Sequence, residues 1–111
     1  MLEMFTIDTV DKAITIANHY GYEVQSRQCM EECAELIQAI NKHWRNVLQC
    51  GNSRISERTD CKEKNDIEEE LADVQIMLWQ ISYLLDCPYG LTVEKKLNRQ
   101  LKRIEEEGAI V

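Results

Sequence analysis

Apolar side chains recur at intervals of three and four residues along most of the chain, and this spacing constrains the fold more than any other feature. The clearest runs are Cys29, Cys33, Leu36, Ile40, Trp44 and Val47, followed by Ile67, Leu71, Val74, Leu78, Ile81 and Leu85. Such spacing puts apolar groups on one face of an α-helix. Because no alternating run of convincing length indicates a strand, the sequence predicts an all-α fold.

One proline and four glycines punctuate this pattern. Breaks are expected at Gly21, in the polar loop 50–65, and at Pro88 with Gly90. The length of 111 residues suits a single domain spanning the chain. Four helices are predicted, over residues 8–19, 23–49, 65–86 and 92–106.

The helix ends and the last helix carry further expectations. Asp8 or Thr9 is expected to cap the first helix, and Thr92 the fourth. The inner stripe of the fourth helix is predicted to be Leu97, Leu101 and Ile104. Since a chain this short buries only a modest part of its surface alone, we also expect it to associate with copies of itself.

The net charge of −7 excludes several kinds of partner. An acidic chain is poorly suited to nucleic acid polymers or to an anionic membrane surface. Anionic small ligands are not excluded, because a bound divalent cation reverses the local field. No apolar run approaches the length of a membrane span, and the start, "MLEMFTIDTVDKA", does not have the pattern of a signal peptide. We therefore expect a cytoplasmic protein.

Five cysteines are present, an odd number without a Cys-x-x-Cys motif. Reduced thiols, some of them in the core, are the favoured interpretation. A zinc site built from Cys29, Cys33, Cys50, Cys61 and His43 is disfavoured, because the spacings match no standard zinc pattern.

Two acidic clusters, "CMEECAELIQ" at 29–38 and "DIEEELADVQ" at 66–75, share one design. On a helix, Glu35 and Glu31 lie about 60° and 100° to one side of Glu32, and the apolar arc begins on the other side. Either cluster alone favours an ordinary solvated helix face. Together they favour a metal site, since each has an acid pair three residues apart beside an apolar stripe.

The chemistry of the acids points to a hard cation. If the two acidic helices pack antiparallel, four carboxylates converge and repel unless a positive charge lies among them. Mg²⁺ prefers oxygen ligands and commonly bridges to phosphate. A di-iron centre requires Glu-x-x-His motifs, but Ile16 and Ile40 stand three residues before His19 and His43.

The segments "EECAE" (31–35) and "ELAD" (70–73) resemble the Glu-Glu-x-x-Glu … Glu-x-x-Asp signature of the MazG-like all-α nucleoside triphosphate pyrophosphohydrolases. The resemblance covers about residues 25–103. It implies a four- to five-helix antiparallel bundle that forms homodimers or homotetramers. It also implies Mg²⁺-dependent hydrolysis of a nucleoside triphosphate to the monophosphate and pyrophosphate. The spacing between the motifs exceeds the usual family spacing, which identifies 50–65 as an insertion.

The resemblance also implies roles for individual residues. The metal ligands would be Glu32, Glu35, Glu70 and Asp73, with Mn²⁺ as a substitute for Mg²⁺. Glu31 is expected to position or deprotonate the attacking water.

The segment "KKLNRQLKRI" (95–104) is similar to the basic helix of the family, without being a clean copy of it. Lys96, Arg99 and Arg103 are thereby assigned to phosphate binding. The alternative is a solvated helix end that the helix dipole stabilises.

Base recognition stays unassigned at this point. The side chains able to stack on a base are Trp44, Trp79, His43, Tyr83 and Tyr89, but Trp44 is expected to pack in the core. Two other functions remain open. One is a non-catalytic helical interaction protein, and the other is an enzyme resembling phosphoribosyl-ATP pyrophosphohydrolase, with the same metal and chemistry.

Overall fold

The computed structural model describes residues 5–50 and 61–110, and the regular secondary structure in these two ranges is entirely helical. This confirms the all-α prediction. The helices are α1 (Ile7–Cys50), α2 (Cys61–Leu84) and α3 (Gly90–Ile110). None of the helices in these ranges has the length and apolarity needed to cross a membrane.

The loop was predicted to span residues 50–65, and its predicted C-terminal boundary is wrong. Residues 51–60 lie outside the described part of the chain, but α2 already begins at Cys61. The reason is that Glu63 is buried there and accepts a hydrogen bond from the amide of Asn46, which makes the first turn of α2 part of the helix pair. An exposed ion pair between Lys62 and Asp66 supports the same turn.

The predicted break at Gly21 is confirmed, although α1 runs through it as one element. Gly21 has φ 84° and ψ 172°, a backbone conformation that is essentially restricted to glycine. It divides α1 into an N-terminal segment, 7–20, and a C-terminal segment, 22–50. These two segments correspond to the separate helices predicted over 8–19 and 23–49.

The N-terminal segment of α1 crosses α2 near the C-terminal end of that helix. Phe5 lies edge-to-face against Trp79, with ring centroids 4.9 Å apart, at one end of the crossing. The Tyr83 hydroxyl donates to Asn18 Oδ1 at 3.0 Å at the other. The small side chains of Ala13 and Ala17 are buried in between, which lets the helices approach closely.

Gln80 joins three helical segments at this crossing. Its side chain is fully buried, donates to the Ala13 carbonyl at 3.0 Å, and accepts from the Gln25 amide at 2.7 Å. Both the nitrogen and the oxygen of the Gln80 amide are hydrogen-bonded. Its burial therefore avoids the free-energy cost of burying an unpaired polar group.

The C-terminal segment of α1 packs antiparallel on α2. Gln25 pairs with Gln80 at one end of this seam, and Asn46 pairs with Glu63 at the other. Val47 and Met77 are buried within it.

The predicted apolar stripes match this seam only in part. Ile40, Trp44, Leu71 and Leu78 remain 40, 48, 53 and 39 % exposed, so the expectation that Trp44 packs in the core is wrong. On α2 the buried positions are instead Glu63, Met77 and Gln80. The seam thus uses part of each predicted stripe, Val47 among them, together with positions outside the stripes.

The predicted caps are also corrected. Thr6, not Asp8 or Thr9, caps α1, because its hydroxyl oxygen accepts from the Thr9 backbone N–H at 3.1 Å. Thr92 is not a cap either. The Val93 N–H already donates to the Tyr89 carbonyl, which puts Thr92 inside the first turn of α3.

Every side chain of α3 that the structure describes is exposed. The predicted inner stripe of Leu97, Leu101 and Ile104 is 56, 63 and 55 % exposed. These residues do share one face, but nothing in the described part of the chain covers it. The stripe is therefore a surface feature of the single chain.

Replacement of Gly21 by alanine is expected to lower the free energy of unfolding by about 1–3 kcal/mol, because alanine is strained in this backbone conformation. A Cβ at Gly21 would meet no atom within 4 Å, so a clash does not contribute. Gly108→Ala is the matched control. It lies in α3 with equally open space around it, and the substitution should be neutral or stabilising. Urea unfolding of both variants measures the difference; equal effects would contradict the argument.

Candidate metal centre

Three carboxylates meet between α1 and α2, about midway along their seam. Glu32, Glu70 and Asp73 each present an oxygen, and these three atoms lie within 4.8 Å of one another. Glu70 and Asp73 are three residues apart on α2 and so project from the same face. The antiparallel packing brings Glu32 of α1 opposite them.

Two of these side chains have an unsatisfied oxygen. Glu32 Oε2 and Glu70 Oε2 are buried and have no hydrogen-bond partner among the described residues. Leaving a charged acceptor without a partner in a buried place is costly. The other oxygen of Glu32, Oε1, accepts a 2.7 Å hydrogen bond from the Gln28 amide. The free oxygens therefore mark the space between the three acids.

The surroundings shift the titration of this cluster. Burial, followed by the negative charges of Asp73 and Glu32, raises the pKa of Glu70, although a hydrogen bond with Glu35 acts in the opposite direction. Burial and the negative charge of Glu32 raise the pKa of Asp73. Both shifts mean that the ionised forms of the two acids are disfavoured unless a positive charge lies among them.

A hard divalent cation fits this arrangement. The donors are all carboxylate oxygens, two of them are buried and unpaired, and all are close enough to reach one ion. Mg²⁺ binds through a few carboxylates and keeps several waters, so three converging ligands suffice. Softer metals prefer nitrogen and sulfur ligands, which this group does not offer.

The other two acids of the first motif occupy different positions. Glu35 is half-buried and interacts with Glu70, next to the group of three. Glu31 is exposed and is not a member of that group.

The predicted phosphate-binding residues lie on α3, away from the α1–α2 seam. Lys96 and Arg99 line an open cleft of about 300 Å³ together with Thr92 and Lys95. Arg103 lies one turn beyond Arg99 on the same exposed helix. The structure therefore groups the first two cations, but within one chain it does not bring them to the carboxylates.

The aromatic side chains have structural contacts of their own. Trp79 packs on Phe5, and Tyr83 bonds Asn18. His43 is buried and has an interaction partner. Trp44 is half exposed. Sequence reasoning did not assign a role to Gln28, although the four-residue spacing from Glu32 was a signal that the two side chains meet.

The rejection of a zinc site at the cysteines stays a prediction. Cys29 and Cys33 are free and half-buried, and burial together with Cys33 raises the pKa of Cys29. The side chains of Cys50 and Cys61 lie outside the described part of the structure.

In metal-free protein, the contribution of the acidic cluster to stability is expected to fall as the pH rises from acidic to neutral. The folded state raises the pKa of Glu70 and Asp73 above their ordinary values of 4.5 and 3.8. Their stabilising contribution is therefore complete below these values and is lost as the pH rises through the folded-state pKa. Mg²⁺ needs the deprotonated acids, so it should raise the melting temperature at neutral pH and have little effect at acidic pH.

The measurement is thermal unfolding across this pH range, with EDTA or with Mg²⁺. The double variant Glu70→Gln, Asp73→Asn is the control, because it removes the contribution of the cluster from the pH dependence. A wild-type dependence that equals that of the double variant would contradict the prediction.

Comparison with known proteins finds a matching family. The model of the family described as the MazG nucleotide pyrophosphohydrolase domain matches residues 22–107. The match includes both acidic motifs and most of α3. No curated protein and no solved structure is significantly similar to the chain.

Proposed function

The chain belongs to the MazG nucleotide pyrophosphohydrolase family, and we propose that it hydrolyses a nucleoside triphosphate to the monophosphate and pyrophosphate with the help of Mg²⁺. The observation that carries the proposal is the meeting of Glu32, Glu70 and Asp73, with two buried oxygens unpaired, inside the matched domain. A helical scaffold has no use for such a group, since removing any one of the acids would relieve repulsion.

In this proposal Glu32, Glu70 and Asp73 bind the cation, and Glu35 supports them through its contact with Glu70. Mn²⁺ would serve as a substitute, because it accepts the same oxygen ligands. When bound, the cation supplies neutralisation of phosphate charge. The carboxylates fix where that charge is neutralised, and with it which phosphate faces the water.

Glu31 is proposed to orient the attacking water and accept its proton. Its side chain is exposed and adjoins Glu32 in sequence, so water can reach it while the neighbouring carboxylate is engaged. A positioned carboxylate in this role contributes typically about 10²–10⁴-fold to the rate.

Lys96, Arg99 and Arg103 are proposed to bind phosphate oxygens. Two of them line one cleft, and the basic helix lies within the matched domain. Guanidinium and ammonium groups form strong charge-assisted hydrogen bonds with phosphate.

We propose that a second copy of the chain covers the apolar face of α3, giving a homodimer or a homotetramer. The stripe of Leu97, Leu101 and Ile104 is more than half exposed on the single chain. Association would also complete the four- to five-helix bundle expected for the family, because the exposed arcs of α1 and α2 need partner helices.

The test is incubation of the purified protein with Mg²⁺ and a panel of ribo- and deoxyribonucleoside triphosphates, with the products resolved by chromatography. Monophosphate and pyrophosphate, lost in Glu35→Gln and Asp73→Asn, are the expected result. Diphosphate with phosphate would refute the reaction class. Including phosphoribosyl-ATP separates the related pyrophosphohydrolase activity, and absence of turnover throughout would favour a non-catalytic interaction protein.

A further inference from the structure

Gln28 makes a specific contact with the metal-binding group. It lies one turn before Glu32 on α1, is half-buried, and donates its amide to Glu32 Oε1 at 2.7 Å. That bond engages one oxygen of the carboxylate. The second oxygen, Oε2, is the one left buried and unpaired.

Because Oε1 is hydrogen-bonded and Oε2 is free, the orientation of the Glu32 carboxylate is fixed. A glutamate side chain has three rotatable bonds, and its terminal torsion is broad. A hydrogen bond to Oε1 restricts that torsion, and with it the direction in which the free Oε2 is held. Groups that hold metal ligands in this way commonly change metal affinity by about 10–100-fold when they are removed.

The chemical nature of the donor matters as well. A lysine or arginine at position 28 would neutralise Glu32 and compete with a cation. An acid there would add a further repulsion to a cluster in which three carboxylates already lie close together. A neutral amide orients Glu32 and leaves its negative charge available.

We propose that Gln28 is a positioning residue, which orients Glu32 so that its free oxygen completes the cation site formed with Glu70 and Asp73. The inference rests on the metal site of the proposed function. It adds a residue that acts through Glu32 and need not touch the substrate.

The experiment measures Mn²⁺ binding to the full chain without nucleotide, by the electron paramagnetic resonance signal of free Mn²⁺. Gln28→Met keeps the length of the side chain and removes the donor. We expect its Kd for Mn²⁺ to rise about 10–100-fold, with cooperative thermal unfolding of the metal-free protein retained. Gln38→Met is the matched control, an exposed glutamine on the same helix, and should bind as the wild type does.

A second readout separates orientation from general damage to the fold. If Gln28 orients a ligand, saturating Mn²⁺ should restore most of the turnover of Gln28→Met, whereas a misfolded variant would not recover. Equal Mn²⁺ affinity of Gln28→Met and wild type would overturn the inference and leave the proposed reaction intact. A wild type that turns over nucleotide without binding Mn²⁺ or Mg²⁺ would overturn the metal site itself.

Discussion

Replacement of Glu70 by glutamine is expected to abolish turnover without weakening the metal-free fold. Glu70 supplies one of three converging oxygens, and its Oε2 is buried without a partner. Loss of a cation that contributes several kcal/mol to the transition state should lower the rate by roughly 10³-fold or more. At neutral pH the same change removes one negative charge from a repelling group, so the metal-free melting temperature should stay constant or rise.

Glu68→Gln is the control for this prediction. Glu68 lies two positions away on α2, on an exposed face of the helix, and carries the same charge. Its replacement should leave the rate and the metal dependence unchanged. Turnover and melting temperature are measured on both variants. A loss of activity in Glu70→Gln that is accompanied by unfolding would point to a structural role and would contradict the prediction.

Replacement of Leu101 by glutamate is expected to prevent the proposed association of α3 with a second copy of the chain. On an isolated chain Leu101 is 63 % exposed, and a surface change of this kind alters the free energy of unfolding by only about 0.5 kcal/mol. At an interface the new carboxylate would be buried without a partner. A penalty of several kcal/mol corresponds to an increase of about 10²-fold or more in the dissociation constant.

Light scattering coupled to size-exclusion chromatography measures the effect directly. Asn98→Glu introduces a negative charge on the same helix, outside the apolar stripe, and should leave the assembly intact. The proposal of a covering second copy would be contradicted by a wild type that is monomeric at all concentrations, or by equal behaviour of the two variants.

The sequence was most informative about the acids. The spacing predicted that four carboxylates, Glu35 among them, would converge if the two helices packed antiparallel, and the structure brings Glu32, Glu70 and Asp73 together. Helical periodicity fixes which side chains share a face, and the antiparallel arrangement of two neighbouring helices then follows from chain connectivity. Neither step requires knowledge of which apolar residues are buried.

Burial was predicted less well, for a physical reason. Leu78 is 39 % exposed, whereas its neighbours Met77 and Gln80 are buried. The periodic pattern of a helix does not indicate which of its apolar positions face the same chain and which face another. Hydrophobicity also misleads where a polar group is fully satisfied, as Gln80 is by Ala13 and Gln25.

The ends of the helices depended on single hydrogen bonds that composition does not reveal. Thr6 and Thr9 are both good caps in principle, and only the geometry shows that the first accepts from the second. Gly21 was easier, since a glycine in an otherwise helical stretch often marks a break. The structure does not bring Lys96 and Arg99 to the acids within one chain, and the sequence carries no signal for where α3 lies relative to them.

The nested contacts of α1 and α2 suggest the order in which the chain assembles. Asn46 and Glu63 are 17 residues apart, whereas Gln25 and Gln80 are separated by 55 and Ala13 and Gln80 by 67. The entropic cost of closing a loop grows with the length of the loop. We therefore expect the contacts between α1 and α2 that are closest in sequence to form first. The three acids would then meet before the N-terminal segment of α1 docks. A cation that binds early would therefore stabilise the partly formed pair of helices. Refolding should then accelerate when Mg²⁺ is present from the start.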